Sequence, residues 1–229
     1  MNHVVLCEKV TKIFEQGLIK VNALTDVDLA VEHGEFICLS GPSGSGKSTL
    51  LNMVGGLDIP TSGEVYIDGE EIDELNKSDL ADLRLHKIGF IFQAYNLIPV
   101  LTAQENIEMV MQMQGVSKKE RNEKSSSILK EVGLEGMENR TPPELSGGQQ
   151  QRVAVARAIV SKPSLVLADE PTANLDSKTA GKLIDLMLEI NSQHKTTFII
   201  STHDPMIMER AKKLIKLHDG KIIEIINQV

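Results

Sequence analysis

No stretch of this chain constrains its fold as tightly as Phe36 to Gly56, which reads FICLSGPSGSGKSTLLNMVGG. Phe36-Ile37-Cys38-Leu39 is a wholly apolar run with the composition of a buried strand. A turn of Gly41, Pro42, Ser43, Gly44, Ser45 and Gly46 follows, and Lys47 to Met53 has helical composition. Strand, glycine loop and helix in that order are the context in which Gly-x-x-x-x-Gly-Lys-Ser/Thr binds phosphate. Glycines let successive backbone N–H groups turn inward with no Cβ in the way, and the positive end of the new helix then holds an anion. The expected phosphate-binding set therefore runs through Ser40, Gly41, Pro42, Ser43, Gly44, Ser45, Gly46, Lys47, Ser48 and Thr49. Lys47 is expected to reach the β- and γ-phosphates, and the Ser48 hydroxyl to ligate Mg²⁺. A merely flexible Gly/Ser loop is the alternative, and the flanking strand and helix count against it.

A chain of 229 residues with 41% hydrophobic content can build one large α/β domain with a real core. The net charge of −8 lacks the basic footprint of a nucleic-acid binder, and no nucleic-acid partner is expected. No apolar run approaches the roughly 18 residues that span a bilayer. The start, Met1-Asn2-His3-Val4-Val5-Leu6-Cys7-Glu8, has neither the basic start nor the long apolar core of a signal peptide. Two cysteines are too few for a disulfide framework, and Cys38 reads as a small buried hydrophobe. A reduced, cytosolic location is expected.

Along the chain, residues 3–9 and 19–31 carry short apolar alternations and predict an antiparallel sheet. Glu64-Val65-Tyr66-Ile67 predicts a strand, Ser78 to Leu85 a short helix, and Ile88 to Phe92 a strand that stops at Gln93. Residues 94–160 change character. Thr102-Ala103-Gln104-Glu105 predicts a capping box opening a Met-rich helix to about Gln114. Ser117-Lys118-Lys119-Glu120 predicts a second box opening a helix to about Val132, closed by Gly133 and Gly136. Met109, Met111 and Met113 read as core or partner-facing packing rather than a metal site. Strands return at Leu165 to Ala168 and Thr197 to Ser201, with a helix from Ser177 to about Ser192 between them. Leu214 to Ile226 predicts a hairpin turning at Asp219-Gly220. Strands alternating with helices predict an α/β fold: a parallel sheet with helices on both faces. An antiparallel β part near the N-terminus and a helical insertion at 94–160 complete the expectation, with 1–93 and 161–229 as the α/β core.

Leu165-Val166-Leu167-Ala168-Asp169-Glu170 is an apolar strand ending in two carboxylates, at the sheet edge where α/β folds bind ligands. Asp169 is expected to hold Mg²⁺ and Glu170 to act as base toward the attacking water. An ordinary acidic turn is the alternative for the pair taken alone. Leu145-Ser146-Gly147-Gly148-Gln149 is a second glycine turn opening a helix, and its N–H groups form another anion site. An ordinary Ser-capped helix start is the alternative there.

The phosphate loop, Gln93, Leu-Ser-Gly-Gly-Gln, Asp169-Glu170-Pro171, Asn174-Leu175-Asp176 and His203 occur in the order found in ATP-binding cassette ATPases, a family that the whole chain resembles. The resemblance implies a phosphate-loop NTPase fold, and ATP and Mg²⁺ as ligands. It implies that two cassettes pair head to tail, the Ser146-Gly147-Gly148-Gln149 turn of one closing over the ATP of the other, with Asp176 also near nucleotide. It further implies that Phe14 stacks on adenine, that Gln93 senses Mg²⁺ and water, and that His203 contacts the γ-phosphate. Many members carry Tyr where this chain has Phe14, which keeps the ring without the hydroxyl. Phe14 as a plain core residue is the alternative.

Gly89 to Pro99 and Leu101 to Asn106 are similar to the bacterial lipoprotein-releasing and macrolide-exporting branch, although peptide exporters share these features. The resemblance implies an ATPase bound to the cytoplasmic face of the cell membrane, moving cargo through a separate transmembrane permease subunit. Ala94 to Glu105 is apolar for a loop, with Tyr95, Leu97, Ile98, Val100 and Leu101, and the permease is expected to dock near 94–113. A soluble cassette ATPase serving DNA repair or cluster assembly is the competing class. A GTPase switch is disfavoured: Asn76-Lys77-Ser78-Asp79 fits the guanine-reading pattern, but no Asp-x-x-Gly occurs, and the stretch reads as a helix start capped by Ser78.

Overall fold

The computed structural model describes residues 3–17 and 19–228. Met1 and Asn2, part of the N-terminal reading, lie outside the described residues. Two sheets form the frame. Strands β1 (His3–Gln16) and β2 (Ile19–Glu32) pair antiparallel, and β4 (Ser62–Ile67) and β5 (Glu70–Glu71) extend that sheet in the order β2-β1-β4-β5. The other sheet holds β3 (Phe36–Ser40), β6 (Ile88–Ile91), β7 (Leu165–Asp169), β8 (Thr197–Ser201), β9 (Lys213–His218) and β10 (Lys221–Asn227). Its order is β10-β9-β3-β8-β7-β6, parallel except for β10. This α/β architecture is the phosphate-loop NTPase fold expected from the sequence.

The central parallel strands β3, β7 and β8 are buried on both faces, which is why they read as nearly unbroken apolar runs. Alternate residues divide between two cores. Phe36, Cys38, Val166, Ala168, Phe198 and Ile200 face α5 (Gly147–Ile159) and α6 (Ser177–His194). Ile37, Leu39, Leu165, Leu167 and Ile199 face α1 (Lys47–Val54), α2 (Lys77–Lys87) and the antiparallel sheet. Phe36 and Phe198 are register partners, with ring centroids 5.5 Å apart. Burying such a pair stabilises by about 1.5–3 kcal/mol per ring.

Strand β1 runs well past the predicted residue 9. Lys9 (φ 50°) and Asp26 (φ 45°) are left-handed and the β1–β2 register slips between Cys7 and Val10, so a bulge breaks the period-2 pattern without ending the strand. Between β6 and β7 lie α3 (Ala103–Met113), α4 (Lys118–Glu131) and α5. Thr102 and Glu105 form the expected reciprocal box on α3. On α4 the box is half made: Ser117 accepts from the Glu120 N–H, but the Glu120 carboxylate pairs with Lys124 at 2.8 Å. Helix α2 is capped by Asn76, not Ser78, whose N–H donates to the Asn76 side chain at 2.9 Å. The methionines do not form one stripe. Met111 is in the core while Met113 is 67% exposed, because residues two apart lie on opposite sides of a helix. The short α7 (Pro205–Arg210), started by Asp204, was not predicted.

Candidate active site

The loop after β3 is shaped by what cannot fit in it. At Gly41 (φ 153°) a Cβ would lie 2.2 Å from the Leu217 carbonyl oxygen, and at Gly46 (φ 101°) 2.6 Å from that of Ala23. Gly46 is the N-cap of α1 and no side chain caps the helix, which leaves its first N–H groups for an outside anion. The β9–β10 turn braces the loop: the Gly220 N–H donates to the Ser45 carbonyl at 3.0 Å. The Lys47 ammonium is folded over the loop, donating to the carbonyls of Gly41 at 2.7 Å and Pro42 at 3.0 Å. The buried Ser45 hydroxyl has no partner among the described residues. An orphaned hydroxyl, uncapped N–H groups and an ammonium in one cradle fit an anionic phosphate.

Two strands over, β7 ends on Asp169. Its Oδ1 accepts from the Ser48 hydroxyl at 3.1 Å and from the Ser201 hydroxyl. This hard oxygen donor set fits a Mg²⁺ ion that takes its other ligands from water and phosphate. Glu170 turns out of the strand at φ 47°. Its Oε1 accepts from His203 Nδ1 at 2.8 Å and its Oε2 from the Thr202 hydroxyl at 3.2 Å. Gln93 follows β6, its carbonyl held by the Asn174 amide at 2.9 Å.

A cavity of about 660 Å³ collects Val21 to Ala23, Ser43 to Thr49, Gln93, Glu170, Ala173 and His203. Phe14 lies on β1 as the register partner of Val21. It is 40% exposed and therefore not core, with the Lys12 ammonium 5.0 Å from its ring centre. Ser40 and Asp169 support the cavity from the strand ends without lining it.

The second glycine turn lies outside that cavity. Ser146 caps α5 in a reciprocal box that the sequence reading did not state: Gln149 N–H reaches the Ser146 hydroxyl, and Gln149 Oε1 accepts from Ser146 N–H at 2.8 Å. The Gln149 side chain is thereby committed to the helix start. Gly147 and Gly148 face Tyr95, Leu175 and Thr179. Asp176 caps α6 by accepting from the N–H groups of Lys178 and Thr179, each at 3.1 Å, and from the Thr179 hydroxyl at 2.6 Å. Those bonds, the Thr179 hydroxyl first, hold its carboxyl below the usual range. Thus the structure gathers the phosphate loop, Gln93, Glu170 and His203, and leaves Ser146, Gly147, Gly148, Gln149 and Asp176 elsewhere. The sequence places Asn174 in a motif without showing that its amide holds Gln93, a contact 81 residues away along the chain, and Thr202, which belongs to no motif, was missed as the prop of Glu170.

A glycine cradle after a buried strand, with two carboxylates at the end of a nearby strand, defines a phosphate-loop nucleoside triphosphatase. Residues 24–173 match the family model described as ABC transporter, and the chain belongs to that family as an ATP-hydrolysing cassette. It is 44% identical over 223 residues to the lipoprotein-releasing system ATP-binding protein LolD of Legionella pneumophila (strain Paris), covering 97% of this chain and 98% of the relative. It is 46% identical over 213 residues to an uncharacterized ABC transporter ATP-binding protein of Thermotoga maritima, covering 93% and 91%. Among solved structures it resembles a dimeric, post-hydrolysis state of the ATP-binding cassette MJ0796 bound to ADP and Pi, at TM-score 0.90 and 43% identity over 97% and 98% of the two chains. It also resembles cbiO1 from Clostridium perfringens, part of the transporter complex cbiONQ, at TM-score 0.88 and 26% identity over 99% and 89%.

Proposed function

We propose that this cassette binds Mg-ATP between its phosphate loop and the Ser146 turn of a second cassette, and that it drives a separate membrane permease. One observation carries the reading: of the two glycine turns that open helices, the phosphate loop lines the cavity of about 660 Å³ and the Ser146 turn does not. A second copy, head to tail, supplies the missing side. Phe14 stacks on the base beside Val21. Lys47 and the N–H groups from Ser43 to Thr49 hold the β- and γ-phosphates, and Ser146, Gly147 and Gly148 of the other copy donate to the γ-phosphate. Asp176 caps the helix that begins beside that turn. Ser48, Gln93 and Asp169 would hold Mg²⁺, which would neutralise charge on the phosphate oxygens. Glu170 takes a proton from water as the water oxygen attacks the γ-phosphorus and the β–γ bond breaks. His203, bonded to Glu170, reaches the γ-phosphate. Thr202 keeps the other carboxylate oxygen in place.

Within the chain, 94–160 acts as a helical subdomain on an α/β core of 1–93 and 161–229. The permease docks at its edge, on the cytoplasmic face of the membrane; among the described residues no helix is long and apolar enough to cross one. The apolar loop expected to form the docking surface is half-buried: Leu97 packs partly on the core, Tyr95, Ile98 and Leu101 are partly exposed, and Val100 at 83% is its exposed apolar tip. The better-formed surface is a groove of about 420 Å³ between Leu57, Phe90, Phe92, Met109, Val110 and Met113. Of the lipoprotein, macrolide and peptide cargo classes, lipoprotein is supported by a relative matched over nearly its full length. The test is phosphate release by purified chain. Glu170→Gln should retain ATP binding and lose turnover by roughly 100-fold or more, the size expected for removing a general base. Turnover near the wild-type rate would remove Glu170 from that role.

A further inference from the structure

The segment after Gln93 is bound to α5 at two separate places. Tyr95 (φ 57°) and Asn96 (φ 50°) are consecutive left-handed residues, a conformation that L side chains avoid. Their carbonyls both accept from one buried guanidinium, that of Arg157 near the end of α5, at 2.9 Å and 2.5 Å. The Tyr95 side chain runs to the other end of the same helix. A Cβ on Gly147 would lie 2.8 Å from the Tyr95 hydroxyl oxygen. Gly147 is the first residue of α5 and part of the second phosphate turn. At its start, the same segment is tied to Asn174 through the Gln93 carbonyl at 2.9 Å.

We propose that Tyr95 is a positioning residue, a strut that fixes the aim of the Ser146-Gly147-Gly148 turn toward the nucleotide of the opposing cassette. This rests on the paired-cassette reading above. Arg157 holds the strut's base and Gly147 lies beside its tip, where a side chain would not fit, so the turn takes its orientation from the loop that carries Gln93. Tyr95 does not line the chain's own phosphate cavity. Its loss therefore separates two quantities that a general structural role would change together. Binding of ATP to the single chain is unaffected, while ATP-driven pairing is weakened.

The experiment uses the full chain carrying Glu170→Gln, alone and with Tyr95→Ala or Tyr95→Phe. Sedimentation with Mg-ATP gives the pairing constant, and a fluorescent ATP analogue gives the affinity of the dilute chain. Tyr95→Ala should weaken pairing about tenfold, within the usual range for coupled sites, at unchanged nucleotide affinity. Tyr95→Phe, which keeps the ring, should lose less. A second pair guards against local misfolding. Gly147→Ala puts a methyl against the Tyr95 oxygen, so adding Tyr95→Phe should recover part of the pairing that Gly147→Ala loses. Equal pairing with and without Tyr95→Ala, parallel loss of nucleotide affinity, or strictly additive losses in the Gly147 pair would overturn the strut. A Glu170→Gln chain that stays monomeric with ATP overturns the paired reading itself, and the strut with it.

Discussion

Lys47 shows how a single residue can serve both its own loop and a bound phosphate. Its ammonium caps two loop carbonyls, 2.7 and 3.0 Å away, and would exchange them for phosphate oxygens. We expect Lys47→Ala to lose about 2 kcal/mol of ATP binding, roughly thirtyfold, the value of one bond to a charged group. Calorimetric titration measures the loss, and an unchanged circular dichroism spectrum shows that the fold survives. The two thiols give a second expectation. Burial pushes Cys7 and Cys38 up to about 12, so neither forms a thiolate near neutrality. A thiol reagent at pH 8 should label none in the native chain and both after denaturation; native labelling would contradict the buried placement. At this scale the sequence revealed residues whose role follows from their type in a motif, such as Lys47 and Glu170. It did not reveal that His203 and Thr202 divide the two oxygens of Glu170, because that contact joins the ends of neighbouring strands.

At the scale of elements, local chemistry made α1, α3 and α6 legible, and the misreadings arose where two local choices compete. Ser78 and Asn76 are both good caps, and only the backbone shows that the helix starts at Lys77. The box on α3 is intact, so Thr102→Ala should lower the melting free energy by about 1 kcal/mol. Its partner Glu105 is held below the ordinary 4.5 by the Thr102 N–H and hydroxyl. A depressed carboxyl stabilises the folded state above the ordinary value and loses that contribution as pH falls through its lower folded value. Thermal melts below pH 4.5 should therefore narrow the gap between wild type and Thr102→Ala; a gap independent of pH would show the bond to be inert. The docking groove lies in this same region. Leu97 packs on the core, so a polar Leu97 and Leu101 double variant would destabilise as well as uncouple. Met113→Glu changes an exposed wall instead. It should leave basal hydrolysis unchanged and abolish stimulation by the membrane partner in reconstituted vesicles; normal stimulation would place the docking surface elsewhere.

At the scale of the molecule, alternating strands and helices announced a sheet covered on both sides, and that is how the two cores divide. The order β10-β9-β3-β8-β7-β6 was not legible, since it depends on which crossovers pack best and not on any local pattern. It is nevertheless what puts the phosphate loop after β3 and the carboxylates after β7 around one cavity, with Ser201 of β8 between them. The same architecture leaves the Ser146 turn outside that cavity, which is the reason for supposing two chains. Molar mass by light scattering tests this directly, using the Glu170→Gln variant with Mg-ATP. The mass should be twice the 25.1 kDa of one chain with ATP, and that of one chain with ADP or when Ser146→Arg fills the closing surface. A Glu170→Gln chain that binds ATP and keeps the mass of a single copy would contradict a self-sufficient pair.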